Sequence, residues 1–251
     1  MIICIDVGNT NLTIGAYENG ACVKSWRINS YNFSYDKLLL SFDDNKVSNI
    51  QGICVGSVVS NITDILQELK NKYSDIPVVF YNEVEDIIMD ISKVNAKEVG
   101  ADIVLNGIGG IKKYNDNLLI IDFGTATTFD VFTKNNVFYG TSIAPGVNLS
   151  LESLVAKASA LPDIKIEPTS KVICGNTVEC MQSGIFWGYL NMINGMINQI
   201  ESEFDFEFTV IATGGLAQLY SKYTKKISYV EKNLALDGLY ILFERNKKYN
   251  E

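Results

Sequence analysis

Short apolar runs separated by polar turns dominate the first 28 residues. Ile2–Ile5, Leu12–Tyr17 and Ala21–Ile28 predict three strands, with Asp6-Val-Gly-Asn-Thr10 and Glu18-Asn-Gly20 as the turns between them. Gly and Asn tolerate the left-handed backbone that tight reversals need, so runs bounded by them read as strands. Further on, the pattern predicts a buried strand at Ile53–Gly56, a helix from Ile62 to Lys72, a strand at Val78–Tyr81 and a helix from about Glu98 to Tyr114.

At Leu118 the opening pattern returns. Cys4-Ile-Asp6-Val-Gly8 corresponds to Ile120-Ile-Asp122-Phe-Gly124, an offset of 116 residues. Each copy is an apolar strand ending in Asp-x-Gly and a polar turn, followed by a second strand (Leu12–Tyr17, Phe129–Thr133) and a third (Ala21–Ile28, Tyr139–Ile143). Two such three-strand runs, one in each half of the chain, point to an internal duplication. The rest reads as a helix at Leu149–Ala160, a long helix over about Val178–Phe204 and a strand at Phe208–Ala212 running into Thr213-Gly214-Gly215. A helix at Leu216–Tyr223, a short strand at Ser228–Val230 and a helix at Leu234–Arg245 follow. The expected architecture is two α/β domains, residues 1–115 and 116–251, each with a mostly parallel sheet carrying an antiparallel hairpin.

Composition narrows the chemistry. The 251 residues are 47% hydrophobic, enough for one large core or two packed domains. Net charge is −8, and the basic clusters, Lys222, Lys225 and Lys226, then Arg245, Lys247 and Lys248, read as solvated helix ends and a tail. An acidic chain without a basic stripe is a poor match for a phosphate backbone, so no nucleic-acid partner is expected. Neither a signal-peptide pattern nor an apolar run of about 20 residues is present, so a cytoplasmic protein without a membrane partner is expected. Five cysteines without CxxC spacing read as reduced thiols. Histidine is absent, which excludes Ser-His-Asp and Cys-His catalysis and leaves carboxylates, Lys or Tyr for proton transfer.

No GxxxxGK[ST] loop occurs, nor a glycine-rich kinase loop followed by a lysine strand. The two Asp-x-Gly turns offer a different phosphate cradle, built from backbone N–H groups and small polar side chains. Gly8 and Gly124 permit close backbone approach; Asn9, Thr10 and Asn11 in one turn and Thr125, Thr127 and Thr128 in the other supply neutral donors. Asp6 and Asp122 end strands, where carboxylates can hold hydrated cations. Such turns also cap ordinary hairpins; it is their pairing that favours phosphate. Ile211-Ala-Thr-Gly214-Gly215-Leu-Ala217 is a strand feeding a glycine turn and a helix, a place for a purine or ribose against the backbone.

In this order the three turns resemble the signature of the actin, sugar-kinase and heat-shock-chaperone superfamily, and within it the type III pantothenate kinase family. The residues that carry the resemblance are Asp6-Val-Gly-Asn-Thr-Asn11, Glu98-Val-Gly-Ala-Asp102, Asp122-Phe-Gly-Thr-Ala-Thr-Thr128, Ile143-Ala-Pro-Gly146, Gly175-Asn-Thr177, Met181-Gln-Ser-Gly184 and Ile211–Ala217. The resemblance implies two duplicated actin-like (ribonuclease-H-like) domains with mixed sheets and flanking helices, and ATP-dependent phosphorylation of pantothenate, the first step towards coenzyme A. It implies Asp102 as general base, Asp6 beside Mg2+ through water, Asp122 at a monovalent-cation site for K+ or NH4+, and Gly214 and Gly215 at the nucleotide. On the acceptor side it implies Gly100 and Ala101, with Thr177 reaching the substrate from the partner of a homodimer. Part of the long helix, with Met181, Ile185, Tyr189, Met192, Met196 and Ile200 on one apolar face and Gly184, Gly188 and Gly195 beside it, is the implied dimer contact.

The chain departs from the family pattern where Tyr-x-x-Pro and Gly-Ala-Asp-Arg are usual: it has Lys93-Val-Asn-Ala96 and Gly100-Ala-Asp-Ile103. Isoleucine cannot replace a guanidinium fork on an acidic substrate, and Lys93 is the candidate substitute. Three readings stay open from sequence: a pantothenate kinase with a remodelled pocket, a kinase for another small hydroxyl-bearing molecule, and a non-catalytic nucleotide-binding regulator.

Overall fold

A computed structural model describes residues 1–85 and 87–247; Lys248, the last of the basic tail, lies outside them. Two compact units are formed, one by residues 1–115, 132–140 and 233 onward, the other by residues 116–131 and 141–232.

In the first unit β1 (Ile2–Val7) is the hub of a sheet, buried on both faces except at Asp6, which is why it reads as a continuous apolar run. β2 (Asn11–Glu18) pairs antiparallel with it and β3 (Ala21–Asn29) antiparallel with β2. β4 (Gly52–Ser57) and β5 (Val78–Phe80) extend the other edge in parallel, giving the order β3-β2-β1-β4-β5. Parallel neighbours need crossovers. α1 (Tyr35–Asp44) supplies one, and α2 (Ser60–Leu66) with α3 (Glu68–Lys72) the other, so the single helix expected over 62–72 is two short ones. α1 is absent from the sequence expectations because only Leu38 and Phe42 of it are buried; Ser34 starts it, its hydroxyl accepting from the Lys37 N–H at 3.3 Å.

Ile3, Ile5, Val7, Leu12 and Ile14 pack against these three helices. The opposite face of the sheet meets α8 (Leu234–Lys247), which also crosses α4 (Ala101–Tyr114). The crossing is backbone to backbone: a Cβ on Gly109 would lie 2.3 Å from the Leu234 carbonyl oxygen, and one on Gly238 2.1 Å from that of Leu105. α4 is buried along nearly its whole length and so has no polar face.

The second sheet joins β6 (Leu118–Phe123), β7 (Ala126–Thr133), β8 (Val137–Pro145), β9 (Thr209–Gly214) and β10 (Tyr229–Val230) in the order β10-β9-β6-β7-β8. The plan is that of the first sheet: a hub, the next two strands on one side, the last two parallel on the other. Burial along β6 repeats that of β1 position by position, with Asp122 where Asp6 stands. The sequence repeat is thus also a structural one, and the architecture is actin-like: α/β, with mixed sheets and flanking helices. α5 (Val147–Lys157), α6 (Thr177–Glu201) and α7 (Ala217–Tyr220) cover Leu119, Ile121, Phe123 and Val210 of this sheet.

α6 buries Met181, Phe186, Leu190, Ile193, Ile197 and Ile200; of the apolar face read from sequence, Met181 and Ile200 are thus buried, while Ile185, Tyr189, Met192 and Met196 are half-buried. The apolar surface of α6 is wider than one stripe, and ring packing decides the rotation. Phe186 stacks on Tyr220 at 5.2 Å between centroids, and Tyr220 on Phe123 at 5.3 Å.

Candidate active site

In the first unit the β1–β2 reversal is a tight loop. The Gly8 N–H donates to the Asn11 carbonyl at 3.0 Å, and a Cβ on Gly8 would lie 3.2 Å from that oxygen. Ser30, at the end of β3, secures the loop from beneath: its hydroxyl donates to the Gly8 carbonyl at 2.7 Å and its N–H to the Thr10 carbonyl at 2.9 Å. Asn9 and Thr10 are left exposed, with Asn11 and Asp6 half-buried. Loop and hub strand therefore present the expected donors on a held backbone. Ser30 carried no motif, and no local signal in the sequence singles it out.

Asp102 occupies the first turn of α4, after Gly100 at the N-cap. The Ile103 N–H donates to Asp102 Oδ1 at 2.9 Å. Burial raises the Asp102 carboxyl above its ordinary range, and the N–H groups of Ile103 and Asp102 oppose the shift without cancelling it. A Cβ on Gly100 would lie 2.3 Å from Asp102 Oδ1, so only glycine leaves room for the carboxylate in this pose. Tyr81, which the sequence marks only as a strand end, is pushed up to about 12 by burial and by the charge of Asp102. Ala101 and Ile103 are buried in the helix packing.

Lys93 lies on the segment pinned to the β7–β8 hairpin, where Asp90 receives the Phe138 N–H at 2.9 Å and donates its own N–H to Asn136 at 2.7 Å. Its ammonium stands 5.6 Å over the Tyr139 ring and is otherwise exposed, a cation held by an aromatic face.

In the second unit the structure brings Asp122, Gly124, Gly214 and Gly215 together. Asp122 pairs in register with Thr213, and the Gly215 N–H donates to the Phe123 carbonyl at 3.0 Å. Gly214 has φ +87, and a Cβ there would lie 2.5 Å from Asp122 Oδ1, so the glycine turn is shaped around the carboxylate. The Gly124 N–H donates to the Ala126 carbonyl and the Gly146 N–H to the Thr125 carbonyl, both at 3.0 Å. Thr125 is exposed, Thr127 fully buried, and the Thr128 hydroxyl donates to Asp130 Oδ2 at 2.8 Å. Asp130, a buried carboxylate, went unremarked in the sequence because its neighbours Phe129 and Val131 read as plain strand.

Thr177 is the first residue of α6 and is exposed; Asn176 caps the helix, its side-chain oxygen accepting from the Glu179 N–H at 3.0 Å. It borders an open hollow of about 570 Å³ whose lining includes Leu154, Leu161, Met181 and Ile185 but no residue of the β6–β7 or Gly-Gly turns. Among the described residues no three Cys, Asp or Glu side chains gather to hold a metal. No described helix is long and apolar enough to cross a membrane.

Over 255 residues the chain is 38% identical to the type III pantothenate kinase of an Exiguobacterium species, covering 99% of this chain and 100% of that one. It is equally identical to the type III pantothenate kinase of Citrifermentans bemidjiense, over 98% and 100% of the two chains. Among solved structures, the activator of 2-hydroxyisocaproyl-CoA dehydratase from Clostridium difficile with bound ADPNP superimposes with a TM-score of 0.58 over 99% of this chain and 97% of that one, at 12% identity, a likeness of fold. The sequence profile of the type III pantothenate kinase family matches residues 2–199, and the chain belongs to that family.

Proposed function

We propose that the protein transfers the γ-phosphoryl group of ATP to the primary hydroxyl of pantothenate, forming 4'-phosphopantothenate. Besides family membership, the observation that carries this is Asp102: a carboxylate made more basic by burial, in a motif that ends in a helix N-terminus. Asp102 accepts the hydroxyl proton as the acceptor oxygen attacks, and Gly100 keeps its Oδ1 unobstructed. Phosphoryl transfer passes through a loose transition state, so holding and neutralising phosphate oxygens is most of the remaining work. In the first unit Asn9, Thr10 and Asn11 would donate to phosphate oxygens across a turn closed by the Gly8 N–H, where the missing Gly8 side chain leaves room for them, and Asp6 would hold Mg2+ through water. In the second, Thr125 would do the same, Gly124 would leave room for the phosphate, and Thr128 would join by turning its hydroxyl from Asp130; Gly214 and Gly215 would lie against the nucleotide, and Asp122 would serve a monovalent cation, K+ or NH4+. Bound magnesium neutralises the charge that gathers on the phosphates. Ala101 and Ile103 shape the acceptor side from within α4, and Thr177 reaches the acceptor of a second copy in a homodimer.

Phosphorylation of a different small hydroxyl-bearing acceptor is favoured by one observation: buried Ile103 replaces the guanidinium expected for an acidic substrate. Coupled ATP-consumption assays with pantothenate and a panel of small alcohols separate the two, with the Lys93→Ala variant run beside the parent. A charged hydrogen bond is worth about 1.5–3 kcal/mol, so pantothenate KM should rise roughly 10- to 150-fold in Lys93→Ala with the ATP KM unmoved. Turnover of another alcohol but not of pantothenate would select the second reading.

A further inference from the structure

Cys174 and Cys180 stand on either side of Gly175-Asn176-Thr177 and line the same hollow. The Cys180 thiol donates to the Cys174 carbonyl oxygen at 3.4 Å, and the Cys174 thiol to the Lys171 carbonyl at 3.3 Å. The Cys180 sulfur thus rests against an atom two bonds from the Cys174 Cα. Rotation of Cys174 about its Cα–Cβ bond, away from Lys171, is the motion that pairing would need. Cys180 is exposed and Cys174 half-buried; Cys22, also half-buried, lies apart on β3, and Cys4 and Cys54 are sealed within the sheet.

We infer that Cys174 and Cys180 form a reversible intrachain disulfide under hydrogen peroxide, closing a ring around Asn176 and Thr177. The exposed Cys180 sulfur attacks one peroxide oxygen; the O–O bond breaks, leaving a sulfenic acid and releasing water. The Cys174 sulfur then attacks the Cys180 sulfur, the S–S bond forms and the S–O bond breaks, releasing a second water. The two thiols give up two electrons and two protons, and the peroxide takes both. A dithiol reductant reverses the step by exchange.

The ring encloses the cap of α6. Asn176 Oδ1 holds the Glu179 N–H, and the Asn176 carbonyl accepts the Cys180 N–H at 2.9 Å. Drawing Cys174 onto the first turn fixes Thr177 in one pose and narrows the hollow. Oxidation therefore weakens acceptor use and leaves ATP binding alone. This consequence, unlike the disulfide itself, rests on the acceptor-side role given to Thr177.

The full-length chain treated with hydrogen peroxide, then alkylated in denaturant, should lose two of its five thiols. Digestion should yield a linked peptide pair carrying Cys174 and Cys180, at the chain's own mass on a non-reducing gel. The pair should be absent from Cys174→Ser and from Cys180→Ser, and dithiothreitol should abolish it. In parallel, the pantothenate KM should rise roughly tenfold or more, a change of about 1.4 kcal/mol or more in binding, with ATP affinity by calorimetry unchanged. Five alkylatable thiols after treatment, over-oxidation confined to Cys180, or a band at twice the chain mass would each overturn the disulfide. A disulfide with an unchanged pantothenate KM would overturn its regulatory part. Thr177→Ala, assayed reduced, separates that outcome from an error about Thr177: an unchanged KM there removes the acceptor role whatever the thiols do.

Discussion

At the scale of single residues, Asp102 shows how one position carries opposed demands. Its proton is held to higher pH in the folded chain than in the unfolded one. Its contribution to stability is therefore fully present below the unfolded carboxylate pKa and is lost as pH rises through the folded value. At neutral pH the charge that the proposed base role requires works against the fold. Asp102→Asn should accordingly lower phosphoryl transfer about 100-fold or more while ATP binding persists and thermal stability at pH 7 does not fall. The acid limb of the parent's pH–rate profile should sit above the ordinary carboxylate range and vanish in the variant's residual activity. Steady-state kinetics and a thermal melt check both, and a variant that keeps most of its activity would remove Asp102 as the base. The residue type and its motif were legible in the sequence. The cause of its basicity was not, because burial depends on what α4 packs against.

At the scale of elements, periodicity found the strands and long helices but not their rotation or closeness. The sequence of α6 is apolar along 181, 185, 189, 192, 196 and 200, and Met181 and Ile200 are buried, but the middle of the helix turns Phe186, Leu190, Ile193 and Ile197 to the core, because stacking on Tyr220 chooses among near-equal faces. α4 looked like an ordinary helix with several glycines, and only the fold shows that Gly109 and Gly238 let α4 and α8 touch backbone to backbone. Gly238→Ala should therefore destabilise by about 1–3 kcal/mol, the usual cost of overpacking, despite alanine's better helix propensity. Urea denaturation measures it, and a variant as stable as the parent would mean that the helices can separate freely. Gly184, Gly188 and Gly195 of α6 are all exposed, with nothing within 4 Å of a Cβ placed on any of them.

For the whole molecule, that open glycine face supports the proposed homodimer, since small residues let a second helix approach closely. Light scattering at micromolar concentration should give twice the chain mass, and Gly188→Leu should return it to the monomer with a loss of acceptor turnover. A fully active monomer would sink the shared site. The repeated Asp-x-Gly strand, the missing histidine and the ordered motifs were readable without coordinates, since chemistry and local backbone geometry are written in residue type and spacing. They determined the duplicated α/β plan, the use of ATP and the list of candidate residues. Ser30 beneath the first Asp-x-Gly turn, the glycine cradle of Asp122 and the burial that raises the Asp102 carboxyl were decided by tertiary structure. Each depends on contacts between segments or on burial, and neither has a signature in residue order.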